Sequence, residues 1–308
     1  MSKRDLLSIY DLRSEEIGDL LGKAFKLKSE RKYLDIFKGK ALGMIFEKPS
    51  TRTRVSFSTA IMQLGGLAIS LEPENLQRRR GESIHDTAVV LSSYLSGLVI
   101  RTFKHCDTEE FAKCSTIPVI NALSDREHPC QSLADIMTIM ELHKVKTTER
   151  LKEEIKIVYI GDGNNVANSL LAISAVLGLS FTLISPQKYL PKKDMLDRAF
   201  KYASSSGAEI KITSDVNEVK NADVVYTDVW ISMGYESEKE DRRKVFMPYQ
   251  VNEELLKKAS ARCIVLHCLP AVRGNELTAE VMDKYGYSIF TQSENRLHSQ
   301  KAVLMHFL

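Results

Sequence analysis

The sequence predicts an α/β fold with two domains, each a mainly parallel sheet flanked by helices. The chain has 308 residues, about twice the usual length of one domain, and 44% of them are hydrophobic, enough for two cores of ordinary size. Short apolar runs alternate along it with segments of helical period. These apolar runs are almost continuous, and strands of that kind are buried on both faces in parallel sheets covered by helices.

Two series of predicted strands divide the chain. The first series covers residues 41–46, 97–100 and 118–122, and it alternates with helices predicted over 20–28 and 83–94. The second series covers residues 155–160, 181–184, 209–213, 223–227, 263–267 and 287–290. A helix over 132–146 links the two series. We therefore predict a first domain over residues 1–146 and a second domain over residues 147–292.

Two further segments are predicted from their patterning. Residues 293–308 have a helical period, and we expect this C-terminal helix to pack back onto the first domain. Residues 235–244 are highly charged and have no periodicity, which is typical of a solvated, mobile loop.

Composition excludes several classes of function. The 43 basic residues nearly balance the 40 acidic ones and are spread along the chain, so no nucleic acid is expected as a partner. The N-terminal segment is charged throughout and no apolar run approaches the length of a bilayer span, so we expect a cytoplasmic protein with no membrane partner. The five cysteines form no C-x-x-C pair, so neither a disulfide framework nor a structural metal site is predicted.

The strongest local signal is the sequence Ser50-Thr51-Arg52-Thr53-Arg54. It follows a predicted strand and precedes apolar residues spaced as one face of a helix. Hydroxyl, guanidinium and backbone N–H groups therefore gather at a helix N-terminus, where the unpaired donors and the helix dipole favour an anion. The alternative is that Ser50 caps the helix and both arginines are solvated. Two arginines among three hydroxyls favour an anion site of the kind that binds phosphate.

A second motif is His128-Pro129-Cys130-Gln131, just before the linking helix. A histidine donor and an amide suit a carbonyl oxygen that gains negative charge during nucleophilic attack. A single histidine before a helix is more often structural, so this motif gains weight only together with the others.

A third motif is Gly161-Asp162-Gly163-Asn164-Asn165, which follows a predicted strand and opens a helix. A glycine-rich turn in that place resembles the start of a dinucleotide-binding fold, and the rival hypothesis is an NAD-dependent oxidoreductase. A valine stands where the third glycine of G-x-G-x-x-G belongs. The two asparagines instead place amides at a strand end, where open α/β sheets bind ligands.

Two clusters follow later strands, and one arginine lies near the C-terminus. In D-V-W-I-S-M-G, Asp228 is an anion that could hold a substrate ammonium group, or it could cap the next segment. In H-C-L-P, Cys268 is a small polarizable side chain beside a turn proline, or a plain core residue. Arg296 is a positive group just ahead of the predicted C-terminal helix, for which surface charge is the default interpretation.

Taken together and in this order, the motifs resemble those of the carbamoyltransferase family along essentially the whole chain. S-T-R-T-R and H-P-x-Q resemble the motifs that the family shares, whereas D-x-W-x-S-M-G and H-C-L-P resemble its ornithine-specific branch. An aspartate-specific member is expected to have H-P-L-P and to lack the S-M-G loop.

The resemblance implies a function and a set of site residues. The implied reaction transfers the carbamoyl group of carbamoyl phosphate to the side-chain amine of L-ornithine, giving L-citrulline and phosphate in arginine biosynthesis. The implied carbamoyl phosphate site, in the first domain with two residues from H-C-L-P, consists of Ser50, Thr51, Arg52, Thr53, Gln77, Arg101, His128, Pro129, Cys130, Gln131, Cys268, Leu269 and Arg296. The residues implied in catalysis are Arg52, Arg101, His128, Gln131, Cys268 and Arg296. The implied ornithine site, in the second domain, consists of Asn165, Asp228, Ser232 and Met233.

The resemblance further implies a homotrimer, or a higher assembly of trimers, in which Gln77 belongs to a loop that reaches the site of a neighbouring subunit. No metal or organic cofactor is implied, because the leaving group is good and positioned cations can neutralise its charge. Open alternatives are a related transferase for acetylornithine, putrescine or aspartate, the NAD-dependent oxidoreductase, and a catalytically silent anion-binding protein.

Overall fold

The computed structural model describes residues 3–30, 32–72, 74, 76–231 and 238–308, except for the side chain of Arg79. The chain divides into two compact units. The first unit consists of Met1–Ala134 and Asn295–Leu308, and the second consists of Asp135–Glu294.

The regular elements alternate along the chain as a β/α fold requires. In chain order the strands are β1 (Ala41–Phe46), β2 (Leu67–Leu71), β3 (Gly97–Arg101), β4 (Val119–Leu123), β5 (Lys156–Ile160), β6 (Ser180–Ile184), β7 (Glu209–Thr213), β8 (Val224–Thr227) and β9 (Ile264–Leu266). The helices are α1 (Ser14–Glu30), α2 (Thr51–Gln63), α3 (Ile84–Tyr94), α4 (His105–Cys114), α5 (Pro129–Leu142), α6 (Thr148–Glu154), α7 (Asn165–Leu177), α8 (Lys193–Ser206), α9 (Lys239–Phe246), α10 (Glu253–Leu256), α11 (Ala279–Lys284) and α12 (Gly286–Phe307).

The first unit contains a four-stranded sheet with the order β2-β1-β3-β4, and every pairing in it is parallel. Strand β3 is buried along its whole length, as expected for a strand covered by helices on both faces. The apolar residues between this sheet and its helices include Ile45, Leu98 and Phe111. Each such side chain stabilises the unit by about 1.5–3 kcal/mol when fully buried.

The second unit contains a five-stranded sheet with the order β7-β6-β5-β8-β9, again with parallel pairings throughout. Helix α7, which follows β5, is buried along almost its whole length, so its sequence is apolar on all sides. Two parallel sheets flanked by helices confirm the predicted fold class.

The C-terminal helix α12 ends in the first unit, as its pattern predicts. Lys28 Nζ on α1 donates to Asn295 Oδ1 at 2.8 Å, and Lys40 Nζ donates to the carbonyl oxygen of Leu308 at 2.8 Å. These bonds join the end of the chain to its beginning and confirm the expected return.

Three expectations about single elements were wrong. Residues 287–290 belong to α12 and do not form a strand: Tyr287 and Phe290 are exposed while Ile289 is buried, a spacing that fits a helix with one inward face. The edge strand β2 was missed, because several of its side chains are exposed. Of the segment expected to be a mobile loop, residues 239–244 lie in α9, and residues 235–237 lie outside the described part of the chain.

Helix α9 is charged, yet one of its arginines is turned inward. The Arg242 side chain is 7% exposed, and its guanidinium donates to Asp162 Oδ2 at 2.9 Å and to the carbonyl oxygen of Trp230 at 2.9 Å. Burial raises the pKa of Asp162 to about 6, against the opposing effect of Arg242. A charged composition alone does not reveal which single residue will be desolvated.

In the part of the chain that the structure describes, no helix combines the length and the apolar composition needed to cross a bilayer.

Candidate functional site

In the first sheet, the point where the strand order reverses brings the S-T-R-T-R motif close to the predicted site residue Arg101. Strands β1 and β3 are neighbours, and Phe46 at the end of β1 is paired with Arg101 at the end of β3. Ligands of open α/β sheets bind at the carboxyl ends of strands at such a point. Arg101 Nη1 donates to Ser50 Oγ at 3.3 Å, so the cation at the end of β3 reaches the loop that follows β1.

The start of α2 has the properties of an anion site. Ser50 stands at the N-cap with extended backbone (φ −157°), but its side chain caps no backbone N–H. The donors of the first helical turn, including the N–H groups of Thr51 and Arg52, therefore point outward with the positive end of the helix dipole. Arg296 donates to Thr53 Oγ1, so α12 contributes a second buried guanidinium. We call the group formed by Ser50–Thr53, Arg101 and Arg296 the cradle.

The two arginines of the S-T-R-T-R motif have different surroundings. Arg54 forms a bidentate pair with Glu72, with Nη2 donating to Oε2 at 3.0 Å, and its guanidinium lies 5.4 Å from the ring centroid of Phe46. Arg52 has no ionic or hydrogen-bonded partner among the described residues. Its charge is available to a ligand, whereas that of Arg54 is already neutralised.

Lys48 is a buried cation near Arg101 of the cradle, and no sequence motif singles it out. It is buried, and its ammonium lies 4.8 Å from the ring centroid of Phe103. Burial lowers the pKa of Lys48, and the neighbouring Arg101 lowers it further. A lysine next to a turn proline looks like an ordinary surface residue in the sequence, so only the structure indicates its proximity to the cradle.

The motif before α5 adds two buried polar side chains. His128 and Gln131 are both buried, and α5 begins at Pro129. Burial lowers the pKa of His128 well below its ordinary value near 6.5, and Arg296 and Arg101 act in the same direction. His128 is therefore a neutral imidazole that can offer one N–H to an oxygen atom.

Two further predicted site residues have other surroundings in the described structure. The Cys130 thiol is directed to the carbonyl oxygen of Asn121 at 3.6 Å, and burial raises its pKa to about 12. The thiol is therefore a packing group and no nucleophile. Gln77 is exposed at the start of a short 3-10 turn, whose next residue, Arg78, donates to Glu47 Oε1 at 2.8 Å.

In the second sheet, the order reverses between β5 and β8, where two further motifs meet. Asn164 Oδ1 accepts from the N–H groups of Val166 at 2.9 Å and Ala167 at 3.1 Å, which caps α7. Asn164 Nδ2 donates to Asp228 Oδ2 at 2.7 Å. One contact of Asp228 thus comes from Asn164, and the predicted site residue Asn165 is the half-buried first residue of α7.

The glycines of the G-x-G turn have a steric explanation. A Cβ atom on Gly163 would lie 2.4 Å from the backbone nitrogen of Pro191, and Gly161 has φ +141°. Close packing and backbone conformation account for both glycines, so the pattern needs no dinucleotide to explain it.

Asp228 is a buried carboxylate that has no cationic partner among the residues the structure describes. It is 5% exposed, and the Cys268 thiol donates to its Oδ1 at 3.1 Å. Within the described ranges, no lysine or arginine forms an ion pair with it. Since buried charges are normally paired, the missing cation points to a ligand that brings one. The neighbouring predictions Ser232 and Met233 lie outside the described residues.

Ligand atoms of Asp228, His267 and Cys268 lie within 4.8 Å of one another. All three are engaged, because His267 Nε2 lies 3.0 Å from Glu276 Oε1, His267 Nδ1 accepts from the N–H of Leu269 at 2.9 Å, and the thiol donates to Asp228. A metal ion could bind here only by displacing these hydrogen bonds.

Models of one family match nearly the whole chain. Residues 4–141 match the model described as aspartate/ornithine carbamoyltransferase, carbamoyl-P binding domain, and residues 153–307 match the Asp/Orn binding domain of the same family. Ornithine carbamoyltransferase of Methanosarcina acetivorans is 50% identical, with 99% of each chain covered. Ornithine carbamoyltransferase of Oceanobacillus iheyensis is 52% identical, with 98% of this chain and 93% of the relative covered.

Solved structures agree with these relatives. Anabolic ornithine carbamoyltransferase from Campylobacter jejuni has a TM-score of 0.93 at 41% identity, with 99% of this chain and 98% of that chain covered. Ornithine carbamoyltransferase from Pyrococcus furiosus has a TM-score of 0.90 at 47% identity, with 98% and 96% covered. With the motifs, the two sheets and these matches in agreement, the chain belongs to the aspartate/ornithine carbamoyltransferase family.

Proposed function

We propose that this chain is the carbamoyltransferase that converts carbamoyl phosphate and L-ornithine to L-citrulline and phosphate. The observation that carries the choice of ornithine is the buried, cation-free carboxylate of Asp228. The relatives named as ornithine carbamoyltransferases support this choice, and one of them, from Pyrococcus furiosus, is named as anabolic. We accordingly assign the reaction to arginine biosynthesis.

The phosphate end of carbamoyl phosphate fits the cradle of the first domain, for which we propose residues 1–146 together with helix residues 293–308. The outward N–H groups at the start of α2, the Ser50 and Thr53 hydroxyls and the Arg52 guanidinium all favour a dianion. Lys48 and Arg101 add desolvated positive charge. Charge that moves onto the phosphate as the C–O bond breaks is stabilised by the same groups, without a metal or organic cofactor.

The carbonyl end of the same substrate needs hydrogen-bond donors. We assign that role to His128 and Gln131, with Arg296 beside them, because all three are buried. A neutral His128 can donate through its N–H to the carbonyl oxygen, and its lowered pKa makes its other ring nitrogen a weak base. From the second domain, for which we propose residues 147–292, we assign Cys268 and Leu269 to the carbamoyl group.

The amino-acid end of ornithine fits Asp228, and the other candidate substrates fit it less well. The α-ammonium group supplies the missing cation, whereas acetylornithine lacks that charge and aspartate adds a second carboxylate that Asp228 would repel. Putrescine lacks the carboxylate that we assign to Asn165, Ser232 and Met233 by family resemblance. We place the δ-amine away from Asp228, since a carboxylate beside it would favour its protonated form.

We also propose a homotrimer in the cytoplasm. Apolar side chains are exposed on three elements of the first unit: Val55 and Met62 on α2, Leu67 on β2, and Val89 and Tyr94 on α3. An edge strand with exposed apolar residues is normally covered by another chain. No two cysteines are joined in a disulfide in the described structure, which agrees with a reducing compartment.

The direct test is a product assay with carbamoyl phosphate and a panel of ornithine, acetylornithine, putrescine and aspartate. We expect ornithine to give the highest kcat/KM by at least about 100-fold, because a mismatched charge at a buried site costs several kcal/mol. Higher kcat/KM with acetylornithine or putrescine would reassign the substrate. Phosphate binding without turnover of any acceptor would identify a silent anion-binding protein.

Replacing the unpaired cradle arginine tests the phosphate assignment. Arg52→Ala should lower kcat/KM by about 100- to 1,000-fold, since removing one donor to developing charge typically has that effect. The thermal unfolding midpoint should change little, because Arg52 is only half-buried and has no partner to lose. Arg13→Ala removes an exposed arginine of the same unit and serves as the control. Near-normal turnover of Arg52→Ala at saturating carbamoyl phosphate would refute the assignment.

The pH dependence tests which group titrates. The amine of free ornithine has a pKa of about 10 if it resembles lysine, so kcat/KM for ornithine should rise from pH 6 to 9 as the neutral amine becomes more abundant. His128 should contribute little to this rise, because burial holds its pKa well below its ordinary value. His128→Gln should therefore lower kcat/KM while keeping the slope. If kcat/KM of His128→Gln no longer rises with pH, the titrating group is His128.

Complementation tests whether Gln77 acts across a subunit boundary. Gln77 is exposed, so its side chain is available to a neighbouring chain. If sites are shared, dissociated and reassembled mixtures of inactive Arg52→Ala and inactive Gln77→Ala chains should recover part of the activity, because some sites receive one intact half from each chain. The idea fails if such mixtures stay inactive, or if the active protein sediments as a monomer.

A further inference from the structure

His267, the first residue of H-C-L-P, has no role in the reaction described so far, yet it makes several hydrogen bonds within the second unit. It follows β9 directly and its side chain is fully buried. Its backbone N–H donates to Gln292 Oε1 at 2.9 Å. Its ring joins two groups, with Nδ1 2.9 Å from the backbone nitrogen of Leu269 and Nε2 3.0 Å from Oε1 of the buried Glu276.

The partners determine which nitrogen carries the proton. A backbone N–H can only donate, so Nδ1 must be the acceptor and carries no hydrogen. The proton of the neutral ring is therefore on Nε2, from which it is donated to the Glu276 carboxylate. Glu276 thus fixes the tautomer of His267, and that tautomer allows the ring to hold Leu269.

Glu276 also holds the other end of the same turn. Its Oε1 accepts from the backbone N–H of Val272 at 2.6 Å. The segment from Leu269 to Val272 is therefore tied at both ends to one buried pair. Leu269 needs such support, because its φ of +62° lies in the left-handed region, which residues with a β-carbon rarely adopt.

The Leu269–Val272 turn also determines the orientation of the Cys268 side chain. The Cys268 thiol stands between His267 and the strained Leu269, and it donates to Asp228 Oδ1 at 3.1 Å. A small rotation of the peptide at Leu269 would move the thiol away from Asp228. The conformation of the turn therefore controls the surroundings of the carboxylate that we assign to the ornithine ammonium.

We propose that His267 and Glu276 are positioning residues for the transfer reaction, acting through the Leu269–Val272 turn on Cys268 and Asp228. The proposal rests on the proposed function for its kinetic consequences. A positioning role differs from a purely structural one in its consequences. Loss of the His267–Glu276 pair should impair the reaction with ornithine, whereas phosphate binding in the first unit should be unaffected.

The main test compares two substitutions of Glu276. Glu276→Ala should lower kcat by about 10- to 100-fold and raise the KM for ornithine, since an unsupported buried donor changes the local geometry. The Kd for inorganic phosphate, measured by calorimetry, should stay within about twofold, because the cradle lies in the other unit. Glu276→Gln keeps an acceptor for both His267 and Val272, so it should recover most of the lost kcat. Asp283→Asn, which alters an exposed ion pair with Arg273, is the matched control.

A second pair of variants separates the two contacts of the ring. In His267→Asn, the side-chain oxygen can still accept from the N–H two residues ahead, as in an Asx turn, but it loses Glu276. In His267→Gln, the longer side chain can reach Glu276 but no longer matches the Leu269 N–H. We expect His267→Asn to retain more kcat than His267→Gln. This pair also provides the test if Glu276→Ala fails to fold.

Alkylation of Cys268 gives a readout independent of turnover. When the turn relaxes, the thiol leaves Asp228, so iodoacetamide should modify Cys268 faster in Glu276→Ala than in the parent protein, as measured by peptide mass spectrometry. The exposed Cys106 is the internal reference. Unchanged alkylation together with unchanged kcat and KM in a folded Glu276→Ala protein would overturn the proposal. Altered alkylation in a protein that carbamoylates no ornithine would support the positioning role and refute the proposed function.

Discussion

The arrangement of this protein depends on parallel strand pairing at two reversal points, β1 beside β3 and β5 beside β8. Parallel strands align their carboxyl ends at one edge, so the loops that follow neighbouring strands start close together. In the first sheet this brings Arg101 to Ser50, and in the second it brings Asn164 to Asp228. Residues far apart in sequence become neighbours because backbone hydrogen bonding leaves no other arrangement.

Both candidate half-sites are desolvated charge centres, of opposite sign. The first unit combines Arg101 and Arg296 of the cradle with the neighbouring Lys48, whereas the second unit presents Asp228. Arg54, which lies on the same helix as part of the cradle, is paired with Glu72, and Arg242, which lies near the second centre, is paired with Asp162. The chain thus pairs two arginines near these centres with carboxylates of its own, whereas Arg52 and Asp228 form no ion pair among the described residues.

The sequence was most informative where local pattern and function coincide. The helix start after Ser50 and the position of Asp228 after a strand could be predicted, because a helix start and a strand end are local features. The burial of Lys48, the contact of Asn164 with Asp228 and the hydrogen bonds of His267 could not, because they depend on partners from distant elements. Periodicity also failed at 287–290, where a short apolar run fits a strand or a helix equally well and only packing decides.

The crowding of cations beside Lys48 couples anion occupancy to folding. With its pKa lowered by burial and by Arg101, Lys48 adds repulsion that the unfolded chain does not have. A ligand that binds only the folded form shifts the folding equilibrium by mass action, by about 2.7 kcal/mol when its concentration is 100 times its Kd. Phosphate, the reaction product, is such a ligand if the cradle binds it. The first unit would then be more stable against unfolding while phosphate is still bound than after it has left the cradle.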